Sequence, residues 1–136
     1  MKIIALTPLL FFLCSFAINA QQTRTLFLNA NDQVLNLVLK GDSVIAGGEF
    51  TLPYTFVAGV HVASGEVFPL GDGLPDTVRK LFFIPWKPHI LCAATSNFPY
   101  LYNYDFNALI PEWTPDTFFN VSSRVNDVDT LPDRVV

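Results

Sequence analysis

The sequence predicts an all-β fold of consecutive four-stranded antiparallel sheets, and three observations predict it. No long stretch after residue 20 shows the 3.6-residue apolar period of an amphipathic helix. Short apolar runs alternate with turn residues instead. The composition carries 13 Phe against 1 Met, with many Val and Thr, which suit a pleated surface. The order of runs and turns then recurs at a step of about 45 residues, the mark of a repeat array. A chain of 136 residues holds one domain of ordinary size. Its hydrophobic fraction of 51% and charged fraction of 15% exclude a disordered polyelectrolyte. A formal charge of −4 with only 8 Lys+Arg leaves no basic face for nucleic acid.

The N-terminus reads as an export signal. Met1-Lys2 supplies a positive charge, Ile3 to Ile18 an apolar run, and Asn19-Ala20 a small-residue end. Cleavage after Ala20 would leave Gln21 first, and Ser15-Phe16-Ala17 offers a second small-x-small site. The alternative is a membrane anchor, but the run is shorter than the roughly 20 apolar residues of a spanning helix and contains Thr7-Pro8. Leu13 directly before Cys14 is a poor lipoprotein signal, so no lipid anchor and no stable membrane span are expected after signal removal. Loss of residues 1–20 removes Lys2 and Cys14. The charge moves to −5, and Cys92 is left without a disulfide partner. Cys92 lies in Ile90-Leu91-Cys92-Ala93-Ala94, where a thiol reads as a small buried hydrophobe rather than a nucleophile.

Along the rest of the chain, Val34–Leu39 is the first strand, ended by the turn Lys40-Gly41-Asp42-Ser43. Val44–Thr51 is the second, Phe56–Ala63 the third, and Glu66–Leu70 the fourth. The loop Gly71–Asp76 leads on to Val78. The order then recurs: Val78–Ile84, the turn Pro85–Pro88, His89–Thr95, Tyr100–Asp105, the turn Phe106–Ala108, and Leu109–Trp113. Thr114–Arg124 is the next loop, and Val125 opens a third copy. The step is 44 from Val34 to Val78, 46 from Val44-Ile45 to Ile90-Leu91, 42 from Pro69 to Pro111, and 47 from Val78 to Val125. Val125, Val128, Asp133, Val135 and Val136 fall 91 residues after Val34, Leu37, Asp42, Val44 and Ile45 without a gap. Four short strands per period make one propeller blade. The expected layout is a signal peptide over 1–20, a first blade over 31–76, a second over 77–124, and the start of a third over 125–136. It is an incomplete propeller that needs further blades of the same or another chain.

Val44-Ile45-Ala46-Gly47-Gly48-Glu49-Phe50-Thr51 resembles the strand signature of secreted bacterial β-propeller proteins with delta-60-like repeats, in which two glycines, a variable residue, Phe and Thr close a strand. Leu70–Val78 is similar to that family's inter-blade loop, with a Leu-Gly-x-Gly-Leu core, and Trp113-Thr114-Pro115 to its Trp-x-Pro form. The likeness covers about residues 31–136 and implies a propeller fold and secretion, but no reaction. The second copy departs from it, with Ala93-Ala94 where the first has Gly47-Gly48. The glycine pair suits a crowded blade junction, with Phe50 expected between blades.

No catalytic, cofactor-binding or metal-ligating residue is predicted. His61 and His89 have no ligand partners at metal spacing. Asp127, Asp129 and Asp133 lack the glycine of a calcium loop and read as a solvated turn. Ser122 and Ser123 have no nucleophile-elbow glycines. Gly47-Gly48 lies in a strand rather than before a helix, so it is no phosphate loop. Asn120-Val121-Ser122 is a glycosylation sequon in a eukaryotic host. The candidate ligand-binding residues are the aromatics Tyr100, Tyr102, Tyr104, Trp86 and Trp113, the three tyrosines being expected on one side of a strand. Such a stripe stacks on sugars or a partner's rings, or packs between blades. The expected function is a secreted or cell-surface, non-enzymatic binding or scaffold module for a protein or glycan. The alternative is a propeller fragment of a larger secreted carbohydrate-active hydrolase or lyase.

Overall fold

The computed structural model describes residues 28–117 together with 119, 125, 130–131 and 134–135. Residues 1–20, expected to be an export signal, Asn120–Ser123 and the aspartates at 127, 129 and 133 lie outside those residues. The chain is all-β: two four-stranded antiparallel sheets and a short hairpin, with no helix among the described residues. In the first sheet, β1 (Val34–Lys40), β2 (Ser43–Gly48), β3 (Val57–His61) and β4 (Val67–Phe68) lie side by side in chain order. In the second, β5 (Val78–Ile84), β6 (Lys87–Thr95), β7 (Leu101–Asp105) and β8 (Trp113–Pro115) do the same.

The pairing registers repeat as well as the order. Lys40 and Ser43 close a two-residue turn over Gly41-Asp42, with Gly41 at φ +58°, a conformation glycine adopts without steric cost. β1 carries a bulge between Val34 and Asn36, opposite Gly48 and Gly47, and β5 carries the same bulge between Val78 and Lys80, opposite Thr95 and Ala94. The strand that follows is entered alike in both units. Gly48 N–H donates to the Phe56 carbonyl at 3.0 Å and Thr95 N–H to the Tyr100 carbonyl at 2.9 Å, with Phe56 at φ +62° and Tyr100 at φ +68°. The third unit begins in kind. β9 (Thr130–Leu131) pairs with β10 (Arg134–Val135) as Leu131 to Arg134 and Thr130 to Val135, each 91 residues after Lys40 to Ser43 and Leu39 to Val44.

This register corrects several sequence expectations. The residues equivalent to Gly47-Gly48 are Ala94-Thr95, one position beyond Ala93-Ala94, because β6, with nine residues, is longer than β2, with six. The expected four-residue turn Pro85–Pro88 is a two-residue turn at Pro85-Trp86. Its irregularity moves into β6, where Lys87 pairs with Ile84 but the next pair is Leu91 with Phe83. Pro88, with no N–H to give the ladder, sits in that interruption. The last strand of the second sheet is Trp113–Pro115 rather than Leu109–Trp113, and Leu109 and Ile110 are exposed. Trp113 decides this: it pairs with Tyr104, and its indole Nε1 donates to the Leu70 carbonyl at 3.0 Å.

The sheets stack face to face. One buried cluster joins Ile45 and Val57 of the first sheet to Val78, Leu81, Leu91, Ala93 and Tyr104 of the second, with Leu70 and Leu74 of the connecting loop. Gly47 lies against the second sheet, where a Cβ would meet the Val78 side chain at 2.6 Å. Gly48 is crowded by the backbone of Gln33 in its own unit instead. Phe50 is fully buried, but with Ala46, Ala58, Leu28 and Tyr54 on the side of the first sheet away from the second, not between the sheets.

Candidate binding surface

Strand alternation sorts each sheet into two faces. The front of the first sheet, turned toward the second, carries Asn36, Val38, Lys40, Ile45, Gly47, Val57 and Phe68. At this junction Asn36 Oδ1 accepts the Leu81 N–H at 3.0 Å. Lys40 Nζ donates to the Pro88 carbonyl at 3.2 Å and lies 5.5 Å over Phe83 and 5.1 Å over Phe106. The back of the second sheet answers with Leu81, Phe83, Leu91, Ala93, Tyr102, Tyr104 and Trp113. Pairing identifies their counterparts on the back of the first sheet as Leu37, Leu39, Val44, Ala46, Ala58, Val60 and Val67.

These equivalent faces have different fates. Leu81 is 2% exposed, whereas Leu37 is 62% and Leu39 72% exposed. Where the second sheet has Tyr102, Tyr104 and Trp113, the first has Ala58, Val60 and Val67, and Phe50 packs with Ala46 and Ala58 over part of its back. An apolar groove of about 350 Å³ runs there, lined by Leu28, Val34, Leu37, Val44, Ala46 and Val60. None of these described lining residues is charged.

The aromatic candidates do not converge. Tyr102, Tyr104 and Trp113 lie on the back of the second sheet, with the Tyr104 and Trp113 rings 5.1 Å apart. Burial raises the pKa of both tyrosines. For Tyr102 the Asp76 carboxylate adds to the rise, and for Tyr104 a hydrogen bond with the Gly71 backbone opposes it. Tyr100 precedes β7 instead of sharing its face, and its ring stands edge-on to Phe98 at 5.9 Å. Trp86, 40% exposed, occupies the β5–β6 turn at the opposite end of the sheet. Comparison with protein-family models, with curated proteins and with solved structures finds no match. The physical reading of the surface therefore rests on this chain alone.

Among the described residues, Cys92, Asp116, Ser43 and His61 are engaged in holding the fold. Cys92 Sγ donates to Asn103 Oδ1 at 3.0 Å, Asn103 Nδ2 donates to Asp116 Oδ1 at 2.6 Å, and Phe119 N–H donates to Asp116 Oδ2 at 2.7 Å. Burial, then the Asp116 charge, pushes the Cys92 thiol up to about 12, so it stays protonated and unreactive at neutral pH. Ser43 Oγ lies 2.9 Å from His61 Nδ1 and 3.3 Å from Asp42 Oδ1, a trio the sequence reading missed because Ser43 and His61 are cross-strand partners 18 residues apart. The carboxylate meets the serine rather than the imidazole, so it does not orient His61 as a base. Ser43 is 5% exposed, and the His61 ring is stacked on Phe68 at 4.5 Å. The trio ties β2 to β3. His89 lies in β6. Among the described residues no group of three His, Cys, Asp or Glu is placed to hold a metal ion.

Proposed function

We propose that this chain is a secreted or cell-surface repeat module of β-propeller type that acts by binding, through the back face of its first sheet, and not by catalysis. The observation that carries the reading is the unequal exposure of two faces in the same register, closed at Leu81 and open at Leu37 and Leu39. Four strands per unit, laid in chain order and stacked on the next unit, support the blade reading. The apolar run from Ile3 to Ile18 after Lys2 supports export. The exposed Trp86 and the Phe98–Tyr100 pair are accessory contact points at the two ends of the second sheet.

Two measurements test this. Mass spectrometry of the medium around expressing cells should find a chain beginning at Gln21 or Ile18; intact Met1 in a cytosolic fraction contradicts export. Titration of the dilute native chain with the dye anilinonaphthalene sulfonate should give saturable fluorescence that Val44→Lys abolishes. A native chain that leaves the dye dark contradicts the open groove.

A further inference from the structure

We infer that the turn end of the second sheet is a lipid-contact site, which rests on the surface of a phospholipid bilayer of no net charge. The inference goes beyond the binding reading above and uses none of the residues that line the groove. The β5–β6 and β7–β8 connections lie at one end of the second sheet, because its strands are antiparallel and laid in chain order. Both project beyond the bond from Phe106 N–H to the His89 carbonyl, 3.0 Å long, at the end of the β6–β7 ladder. Trp86 stands on the first connection, 40% exposed, and Leu109 and Ile110 on the second, 99% and 72% exposed. At the equivalent connections of the first sheet the exposed residues are Gly41 and Asp42, and Ala63 to Glu66, all small or polar. A two-residue hairpin turn favours Gly, Asn or Asp, so Pro85-Trp86 departs from turn chemistry, as Leu109-Ile110 does beside it. None of the three apolar residues packs into a buried cluster. Two neighbouring turns thus break the local rule in the same direction, with no gain to the core, and such departures mark function.

The form of the site selects the partner. A protein partner meets a contiguous, closely packed face, whereas these side chains stand on two separate convex turns. A fluid bilayer receives separate tips without a matching pocket for each. The residue types suit its layers: Leu109 and Ile110 are wholly apolar, and the Trp86 indole, an apolar body with one N–H, belongs at the headgroup level. Charge then sets the kind of bilayer. Lys40 and Lys87 lie at this end, and Asp42, Glu66, Asp105 and Glu112 outnumber them. Lys40 is engaged with the Pro88 carbonyl at 3.2 Å and with the rings of Phe83 and Phe106. This end therefore gains nothing from anionic lipid, which attracts clusters of basic residues. Taking one such aliphatic side chain out of water is worth about tenfold or more in partition. The contact is reversible and no tighter than that of a single acyl anchor, which binds with about 10⁴ M⁻¹.

The test is titration of the full chain, as its expressing cells process it, with phosphatidylcholine vesicles, read by co-sedimentation and tryptophan emission. The expected result is saturable binding, with emission shifted to the blue and quenched by brominated phosphatidylcholine. Trp113 is held inside the fold by its bond to Leu70, so Trp86→Phe should remove the quenching while the chain still sediments with the vesicles. Leu109→Ser should weaken binding about tenfold, and Leu109→Ser with Ile110→Ser about a hundredfold. Both variants should unfold at the wild-type temperature, since neither side chain is packed. Leu37→Ser, in the groove, should bind vesicles as the wild type does, which separates this result from the fate of the groove reading. A wild-type chain that stays in solution at about millimolar phosphatidylcholine overturns the inference. Binding that survives the paired substitution overturns it too, as does binding that appears only when phosphatidylserine is added, since that is headgroup attraction.

Discussion

The two sheets differ less in how their strands pair than in what covers them. Leu37 and Leu81 are register equivalents, each opposite an alanine, Ala46 and Ala93. One is 62% exposed and the other 2%. Pairing and turn geometry are local and are set by each unit's own residues. Burial depends on order in the stack, because the second sheet has the first behind it. The surroundings also reshape the composition. The back of the second sheet carries Tyr102, Tyr104 and Trp113 to fill the space between sheets, whereas that of the first has Ala58, Val60 and Val67 and stands open at Leu37 and Leu39. The difference teaches that one repeat unit presents the same face as a core layer or as an exposed surface according to its neighbours.

The largest expected effect breaks the comparison at those two leucines. Leu81→Ala should cost about 3 kcal/mol, because it removes buried area and opens a cavity between sheets. Leu37→Ala should cost less than about 0.5 kcal/mol. Urea unfolding of both variants under dilute conditions measures the difference, and equal costs would mean that the faces are not distinguished by burial. Next is Gly47→Ala. The new Cβ meets the Val78 side chain at 2.6 Å and Leu81 at 3.1 Å, so overpacking should cost about 2 kcal/mol. The second sheet already carries Ala94 at the equivalent place.

A smaller effect is expected at the polar contact between the sheets. Asn36→Ala leaves the Leu81 N–H without its acceptor and should destabilise by about 1–2 kcal/mol. Native-state hydrogen exchange should show that amide among those that speed up.

Much of this organisation is legible in the sequence, and the reasons for the misses are physical. The hairpins are legible because Gly41-Asp42 has one dominant use between two apolar runs. The third unit is found at a step of 91 because no insertion interrupts it. The position of β8 is not legible from apolar character, since Leu109 and Ile110 look like strand and stand in solvent. The indole bond of Trp113 to Leu70, a tertiary contact, sets that strand instead. Tyr100 looks like the first residue of an alternating stripe, yet the positive φ it shares with Phe56 takes it out of the ladder. The open face is hidden because Val34-Leu35-Asn36-Leu37-Val38-Leu39 is apolar on both sides. Sequence alone does not say which side meets a neighbouring sheet.

The smallest expected effect concerns pH and sharpens the view of the second sheet's front. The Cys92 thiol is raised from 9.0 to about 12 in the folded chain, first by burial and then by Asp116. An acid with a raised folded pKa holds its proton more tightly when folded. Its contribution is therefore complete below about pH 9 and is lost as pH rises toward 12. The unfolding temperature of the wild type should fall across that window relative to Cys92→Ala, in which this slope is absent. Parallel pH profiles for the two chains would show that Cys92 is not buried as described.

The deciding difference is that Leu81 on the back of the second sheet is covered within the chain, whereas Leu37 and Leu39 on the back of the first are not. Methyl nuclear Overhauser spectroscopy, filtered to keep contacts within one chain, tests it directly. The account predicts contacts from the Leu81 and Leu91 methyls to Ile45 and Val57, and none from the Leu37 and Leu39 methyls to any residue of the second sheet. Contacts within one chain between Leu37 or Leu39 and the second sheet, or the loss of those at Leu81, would contradict it.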